Sequence, residues 1–270
     1  MGKVKIKRKS TLIDMTAMSD VTVLLLTFFM LTSTFLQKEP TIVYTPSSVS
    51  EEKVPMNNLV TVLISCADKG GNMEDPTVTE GKIFISFTGD ADSTLSSVNI
   101  RGMMLDEAVA IYNAQHQNNP ITITAAQKNE FMNTNMFGVP FSVLPEFLSM
   151  SVTDRDKFQG NLANPAVGIP INGNRDRDGR LNDFQIWLKA IYNVAQRINS
   201  DQAAGLTDAE RSQLSNLYTA LMRKGEGIAV KADKDTPFTT VQEVFDNLQT
   251  MKLNKFSLMT ALKSEDEPTN

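Results

Sequence analysis

The stretch Ile13-Asp-Met-Thr-Ala-Met-Ser-Asp-Val-Thr-Val-Leu-Leu-Leu-Thr-Phe-Phe-Met-Leu-Thr-Ser-Thr-Phe-Leu-Gln37 decides how the rest of the chain is read. Asp14 stands at its edge, Asp20 is the one carboxylate inside it, and no charge lies between Asp20 and Lys38. As a helix rising ~1.5 Å per residue, residues 13–37 are long enough to cross a bilayer core of roughly 30 Å. One transmembrane helix over 13–37 is therefore expected. A carboxylate inside such a helix costs a few kcal/mol on insertion scales and is normally kept where it meets water, an ion or a partner. Asp20 is the first candidate functional residue.

Residues seven apart lie on nearly the same helix face, and Asp20, Thr27 and Thr34 fall at that spacing, with Val23, Leu24 and Leu31 between them. A narrow polar stripe on an apolar helix suits a water-lined seam or a helix partner. Threonine hydroxyls also bond back to their own backbone carbonyls in membrane helices, and for Thr27 and Thr34 both readings stay open. An ionised Asp20 has no proton to donate, so that explanation does not extend to it.

Outward on the N-terminal side, Lys3, Lys5, Lys7, Arg8 and Lys9 form a basic arm over residues 1–12, with no acid among the first ten residues. The whole chain is nonetheless acidic, at a net charge of -5. By the positive-inside rule the arm is expected in the cytoplasm and everything after Lys38 across the membrane. A cleaved signal peptide has the same basic-then-apolar outline. However, this apolar segment is longer than a usual signal core, carries Asp20, and lacks a clear small-x-small site in Thr32-Ser-Thr-Phe-Leu-Gln37. An uncleaved anchor is the expectation, and headgroup contact rather than nucleic acid accounts for the arm.

The stretch Asp14-Met-Thr-Ala-Met-Ser-Asp20-Val-Thr-Val-Leu-Leu-Leu-Thr-Phe-Phe-Met-Leu-Thr-Ser33 resembles the membrane helix of ExbD/TolR-type proteins. Those relatives share a proline, two residues, an aspartate and then a Leu-Leu-x-x-Phe-Phe-Met block; the proline position is Ala17 here and Ser19 precedes the aspartate. The resemblance implies a subunit of a proton-driven inner-membrane motor, with Asp20 as the proton-binding group; the seven-residue spacing, not the resemblance, is what makes Thr27 and Thr34 candidates for facing the pore or a helix. The resemblance also implies a larger multi-span ExbB/TolQ-like partner, a TonB-like protein to energise outer-membrane transport, and a homodimer inside a ring. A TolR-like or gliding-type motor role is the alternative within that class. A passive, membrane-anchored periplasmic scaffold is the alternative outside it.

On the C-terminal side, Pro40, Pro46 and Pro55 with intervening serines forbid a continuing helix, so residues 38–57 are expected as an extended periplasmic linker. With 270 residues, 41% of them hydrophobic, the chain can bury a real core beyond the helix. An α+β periplasmic domain is expected over 58–263, followed by a polar tail over 264–270. Leu59 to Cys66 and Lys82 to Phe87 read as paired strands. Leu105, Ala108, Val109 and Tyr112 recur at helical spacing, as do Phe184, Trp187, Leu188, Ile191, Val194 and Ile198. Gly138-Val-Pro140 and Pro145 punctuate short pieces between them, in a helical expansion running from Tyr112 to Gly225.

Thr207-Asp-Ala-Glu210 and Thr240-Val-Gln-Glu243 both match a capping box. The end of the chain, from Gly227 to Thr260, reads as strand, helix, strand, and Ala232, Asp233 and Thr236-Pro-Phe238 resemble the end of the same family's periplasmic domain. Asp233, following a strand, reads as a turn former.

Chemistry of other kinds finds little support. Cys66 and His116 stand alone, which builds no zinc site of the common types, and no nucleophile elbow, phosphate loop or dinucleotide fingerprint occurs. Neither an enzyme, a cofactor nor a metal is expected. Asn174 to Gln185 has the oxygen spacing of a calcium loop with Gly179 at the sixth position. Yet Asn174 and Gln185 replace the first acid and the bidentate glutamate, so a solvated turn feeding a helix is the expectation.

Overall fold

The computed structural model describes residues 15–32, 39–49, 59–66, 81–88, 97–172, 179–199, 207 and 227–262. It falls into two compact units, Met1–Lys38 and Glu39–Asn270. In the first, the expected helix is described as α1, Met15–Thr32. Its 18 residues correspond to ~27 Å, short of the roughly 30 Å core. Among the described residues no helix is long and apolar enough to cross a membrane. Residues 13, 14 and 33–37 of the expected span lie outside the described residues.

The second unit is α+β. Its described elements, in chain order, begin with β1 (Ser47–Ser48), β2 (Leu59–Cys66), β3 (Gly81–Thr88), α2 (Ser97–Gln115), α3 (Ala125–Asn133) and β4 (Met136–Phe137). They continue with α4 (Leu144–Ser149), α5 (Val152–Gly160), α6 (Asp183–Asn199), β5 (Ile228–Ala232), α7 (Phe238–Thr250), β6 (Ser257–Met259) and β7 (Ala261–Leu262). Five strands form one mixed sheet in the order β4-β3-β2-β5-β6. The expected pair β2 and β3 is antiparallel, with Leu59 opposite Thr88 and Cys66 opposite Gly81. The C-terminal strand-helix-strand unit forms as expected, β5 inserting in parallel between β2 and β6.

The apolar runs of β2 and β3 follow from burial on both faces of the sheet. Val60, Val62, Ile64, Ile83, Ile85 and Phe87 point into the main core with α2, α6 and α7, while Leu63 and Phe84 point to a smaller cluster on the opposite face. Helical periodicity places Leu105, Ala108 and Tyr112 of α2 and Phe184, Trp187, Leu188 and Ile191 of α6 in the main core. Arg101 is buried beside them. Its Nε and Nη2 donate to the Phe87 carbonyl (3.3 and 2.9 Å) and its Nη1 to that of Met132 (3.2 Å), tying α2 to the ends of β3 and α3. Burial lowers its pKa from the ordinary value.

The smaller cluster joins distant parts of the chain. Val43, from the segment after α1, packs with Leu63, Phe84, Met136, Leu162 and Val167. Residues 39–49 are extended, in keeping with their prolines, and lie against the domain. Lys231 Nζ contacts both Glu39 carboxylate oxygens (2.7 and 2.8 Å), Lys234 N–H donates to the Tyr44 carbonyl (2.7 Å), and β1 pairs in parallel with β7.

Beneath this cluster, Gly138 brings the backbone onto Phe84. Its N–H donates to Gln159 Oε1 (2.9 Å), its carbonyl accepts from Gly168 N–H (2.8 Å), and a Cβ there would lie 2.3 Å from Phe84 Cδ1 and 2.7 Å from the Ile83 carbonyl oxygen. Neither neighbour can retreat, one being a core ring and the other a sheet backbone. Gly138→Ala is expected to lower stability by ~1–3 kcal/mol through overpacking, read as a lower unfolding midpoint. An unchanged midpoint would contradict this packing.

One expected cap is corrected. α7 starts at Phe238 with Pro237 at its N-cap and no side-chain cap, so Thr240 lies inside the helix rather than before it. Pro237 starts the helix ahead of the Thr-x-x-Glu pattern. The Thr240 hydroxyl instead accepts the Gly81 N–H (3.1 Å), joining α7 to β3. The other expected capping box, from Thr207, lies outside the described residues apart from Thr207 itself.

Candidate functional site

On α1, Asp20 is exposed, and apolar side chains surround it along the helix: Val21, Leu24, Leu26, Phe28 and Phe29 are each about 60% exposed and Leu31 86%. A helix that is apolar on every side needs a large apolar environment, a protein core or lipid, to cover it. Thr27 follows Asp20 by seven residues and its hydroxyl donates to the Leu24 carbonyl (2.9 Å). Thr22, two residues beyond Asp20, donates to the Met18 and Ser19 carbonyls (3.0 and 2.8 Å). Both hydroxyl protons are thus taken up by the helix's own backbone, leaving oxygen lone pairs as what these side chains offer outward. Thr34 lies outside the described residues. Asp20 differs from both in having a side chain that changes charge with one proton.

In the second unit, Asp233 follows β5 directly and is buried. Oδ1 accepts the Asp235 N–H (3.3 Å), the local bond of an Asx turn, and Oδ2 accepts the Tyr44 N–H (3.4 Å). The turn reading of Asp233 agrees with this geometry. Sequence reasoning missed its second use, holding the segment that follows α1, because nothing local marks a contact spanning 189 residues.

The calcium-like stretch is described from Gly179 onward, Asn174 to Asp178 lying outside the described residues. Gln185, at its twelfth position, is fully buried in α6 and donates through Nε2 to Asn247 Oδ1 (2.9 Å). Asn182, at the ninth, donates to the same oxygen (2.7 Å) while its own Oδ1 accepts the Gln185 N–H (2.9 Å). Asn247 in turn donates to the Glu243 and Ile171 carbonyls (2.7 and 3.3 Å). Two of the oxygen-bearing side chains thus serve a buried amide network that fixes α6 to α7. Among the described residues no group of three His, Cys, Asp or Glu side chains is arranged to hold a metal.

The features that stand out are one carboxylate in an apolar helix and an α+β unit that holds the extended segment following that helix. They define a two-unit protein in which Asp20 is the one ionisable side chain of the described apolar helix. Residues 7–135 match the family described as biopolymer transport protein ExbD/TolR. The match includes Asp20, the 39–49 segment, β2, β3, α2 and α3, and stops before β4. No curated protein and no solved structure matches the chain.

Proposed function

We propose that the chain is the ExbD-like subunit of an inner-membrane motor that uses the proton-motive force to energise TonB-dependent outer-membrane transport. The observation that carries this reading is Asp20, a single carboxylate amid exposed apolar side chains and within the family match. The uncharged sequence on either side of Met15–Thr32, from Ile13 and through Gln37 apart from Asp14, supports a membrane span longer than the described helix. In this reading the span crosses the inner membrane once, the basic arm stays in the cytoplasm and the α+β unit works in the periplasm. A multi-span ExbB/TolQ-like subunit would enclose the helices of a homodimer and conduct the protons. Taking up a proton neutralises Asp20 and frees it from polar partners; losing the proton restores a charge that must again find them. Repetition of this step gives motion, which the folded unit passes to a TonB-like protein.

The test of placement is a reporter fused after Leu262. An alkaline phosphatase fusion, active only after export, is expected to be active, and a cytoplasmic fluorescent reporter at the same point dark. The reverse pattern would overturn the reading.

A further inference from the structure

A cleft of about 520 Å³ lies in the second unit, walled by α2, α6 and the stretch Gly179–Leu181. The cleft is open to solvent, with Ala114, Arg180 and Lys189 exposed along it. Ile111, Ala114 and Leu181 supply its apolar surface, and Arg180 and Lys189 supply charge; none of the lining residues is acidic. Elsewhere, in a chain of net charge -5, Lys128 pairs with Asp106, Arg155 with Glu130 and Lys231 with Glu39. No ion pair joins Arg180 or Lys189 to an acid among the described residues.

The two amide side chains of the walls are each oriented by one hydrogen bond. Gln115 Oε1 is occupied by the Leu181 N–H (2.8 Å), which leaves the Gln115 amide with its NH2 donors. Asn193 is fixed the other way round, its NH2 donating to Glu107 Oε1 (2.7 Å) and its own oxygen left as the cleft's side-chain amide acceptor. These two bonds hold the walls in place without using either cation. A guanidinium and an ammonium beside an amide donor match a carboxylate head, and the adjoining Ile111, Ala114 and Leu181 surface matches a short aliphatic body.

We infer that this α2–α6 cleft binds a small organic carboxylate, its head held by Arg180 and Lys189 and its aliphatic part laid on Ile111, Ala114 and Leu181. The site is independent of Asp20 and of the motor reading.

The test uses the full chain in detergent, its unfolding followed by circular dichroism in sodium hexanoate, sodium acetate or sodium chloride at matched ionic strength. A ligand that binds only the folded state raises the midpoint in a saturable way. Hexanoate is expected to raise it more than acetate, and acetate more than chloride. In the double variant Arg180→Gln/Lys189→Gln the apparent hexanoate affinity is expected to weaken at least about tenfold, as befits loss of charge-assisted bonds. The exchange Arg180→Lys/Lys189→Arg, which keeps both charges, is expected to retain most of the response. Equal midpoints in hexanoate and acetate would remove the aliphatic part of the inference. An undiminished response in the double variant, or no response to hexanoate at all, would overturn the site.

Discussion

Asp20→Asn is expected to abolish driven uptake while leaving membrane insertion and complex assembly intact. Asparagine has nearly the size and much of the hydrogen-bonding capacity of a protonated aspartate, but it never ionises. A proton step that needs both charge states therefore stops, and activity falls to the level of a strain lacking the protein. A passive scaffold would instead tolerate the change, because the neutral form is the one an apolar environment accepts most readily. Asp20→Glu keeps the ability to titrate and is expected to retain partial activity where the surroundings admit one more methylene. The measurement is growth on a substrate too large for porins, with protein level checked by immunoblot and assembly by co-purification with the multi-span partner. Full growth of the Asp20→Asn strain would reduce the carboxylate to a structural feature. Loss of growth together with loss of assembly would point to a packing role in place of a proton switch.

Much of this architecture is written in short-range pattern. β2 and β3 are legible because both faces of each strand are buried, which turns Leu59–Cys66 and Gly81–Thr88 into nearly continuous apolar runs. α2 and α6 are legible because one face of each enters the core. Asp20 is legible because a single carboxylate in an apolar run is costly wherever that run is buried or in lipid. The middle of the chain, by contrast, is built from helices of six to nine residues, too short for their periodicity to register. A usable signal was present there: Thr124 and Gln127 form a reciprocal capping box at the start of α3. The same kind of pattern misled at Thr240, where Pro237 had already started the helix.

Long-range closure left no local trace. Val43 is the one residue of the 39–49 segment that is buried, so no periodicity announces its docking, and the segment's partners Lys231, Asp233, Lys234 and Ala261 arrive about two hundred residues later. The amide network of Asn182, Gln185 and Asn247 is hidden in the same way. Each side chain looks like surface until the packing of α6 on α7 buries them together, and the bonds among them offset the desolvation that burial imposes.

Trp187→Ala is expected to remove ~3–5 kcal/mol of stability, the usual cost of deleting a large aromatic from a packed core. Trp187 is 1% exposed and lies between the nearly parallel rings of Phe131 (centroids 5.5 Å apart, 8° between planes) and Phe141 (4.9 Å, 14°). Phe137 meets it edge-on at 4.8 Å, and Phe87 lies tilted to it at 6.4 Å. These contacts cross the end of the family match at residue 135: Phe87 and Phe131 lie inside it, Phe137, Phe141 and Trp187 beyond. The ring therefore fastens the part of the chain outside the match onto the sheet and helices within it. Its Nε1 is buried with no hydrogen-bond partner among the described residues, so the indole contributes packing and not a polar bond. Trp187→Phe is accordingly expected to cost less than Trp187→Ala, because phenylalanine keeps one stacking ring and removes the unpartnered donor. Chemical unfolding of the full chain in detergent, followed by circular dichroism since the sole Trp is lost, measures both variants. A loss below about 1 kcal/mol for Trp187→Ala would mean that the two parts do not share a core, since a ring buried to this depth cannot be deleted so cheaply from one.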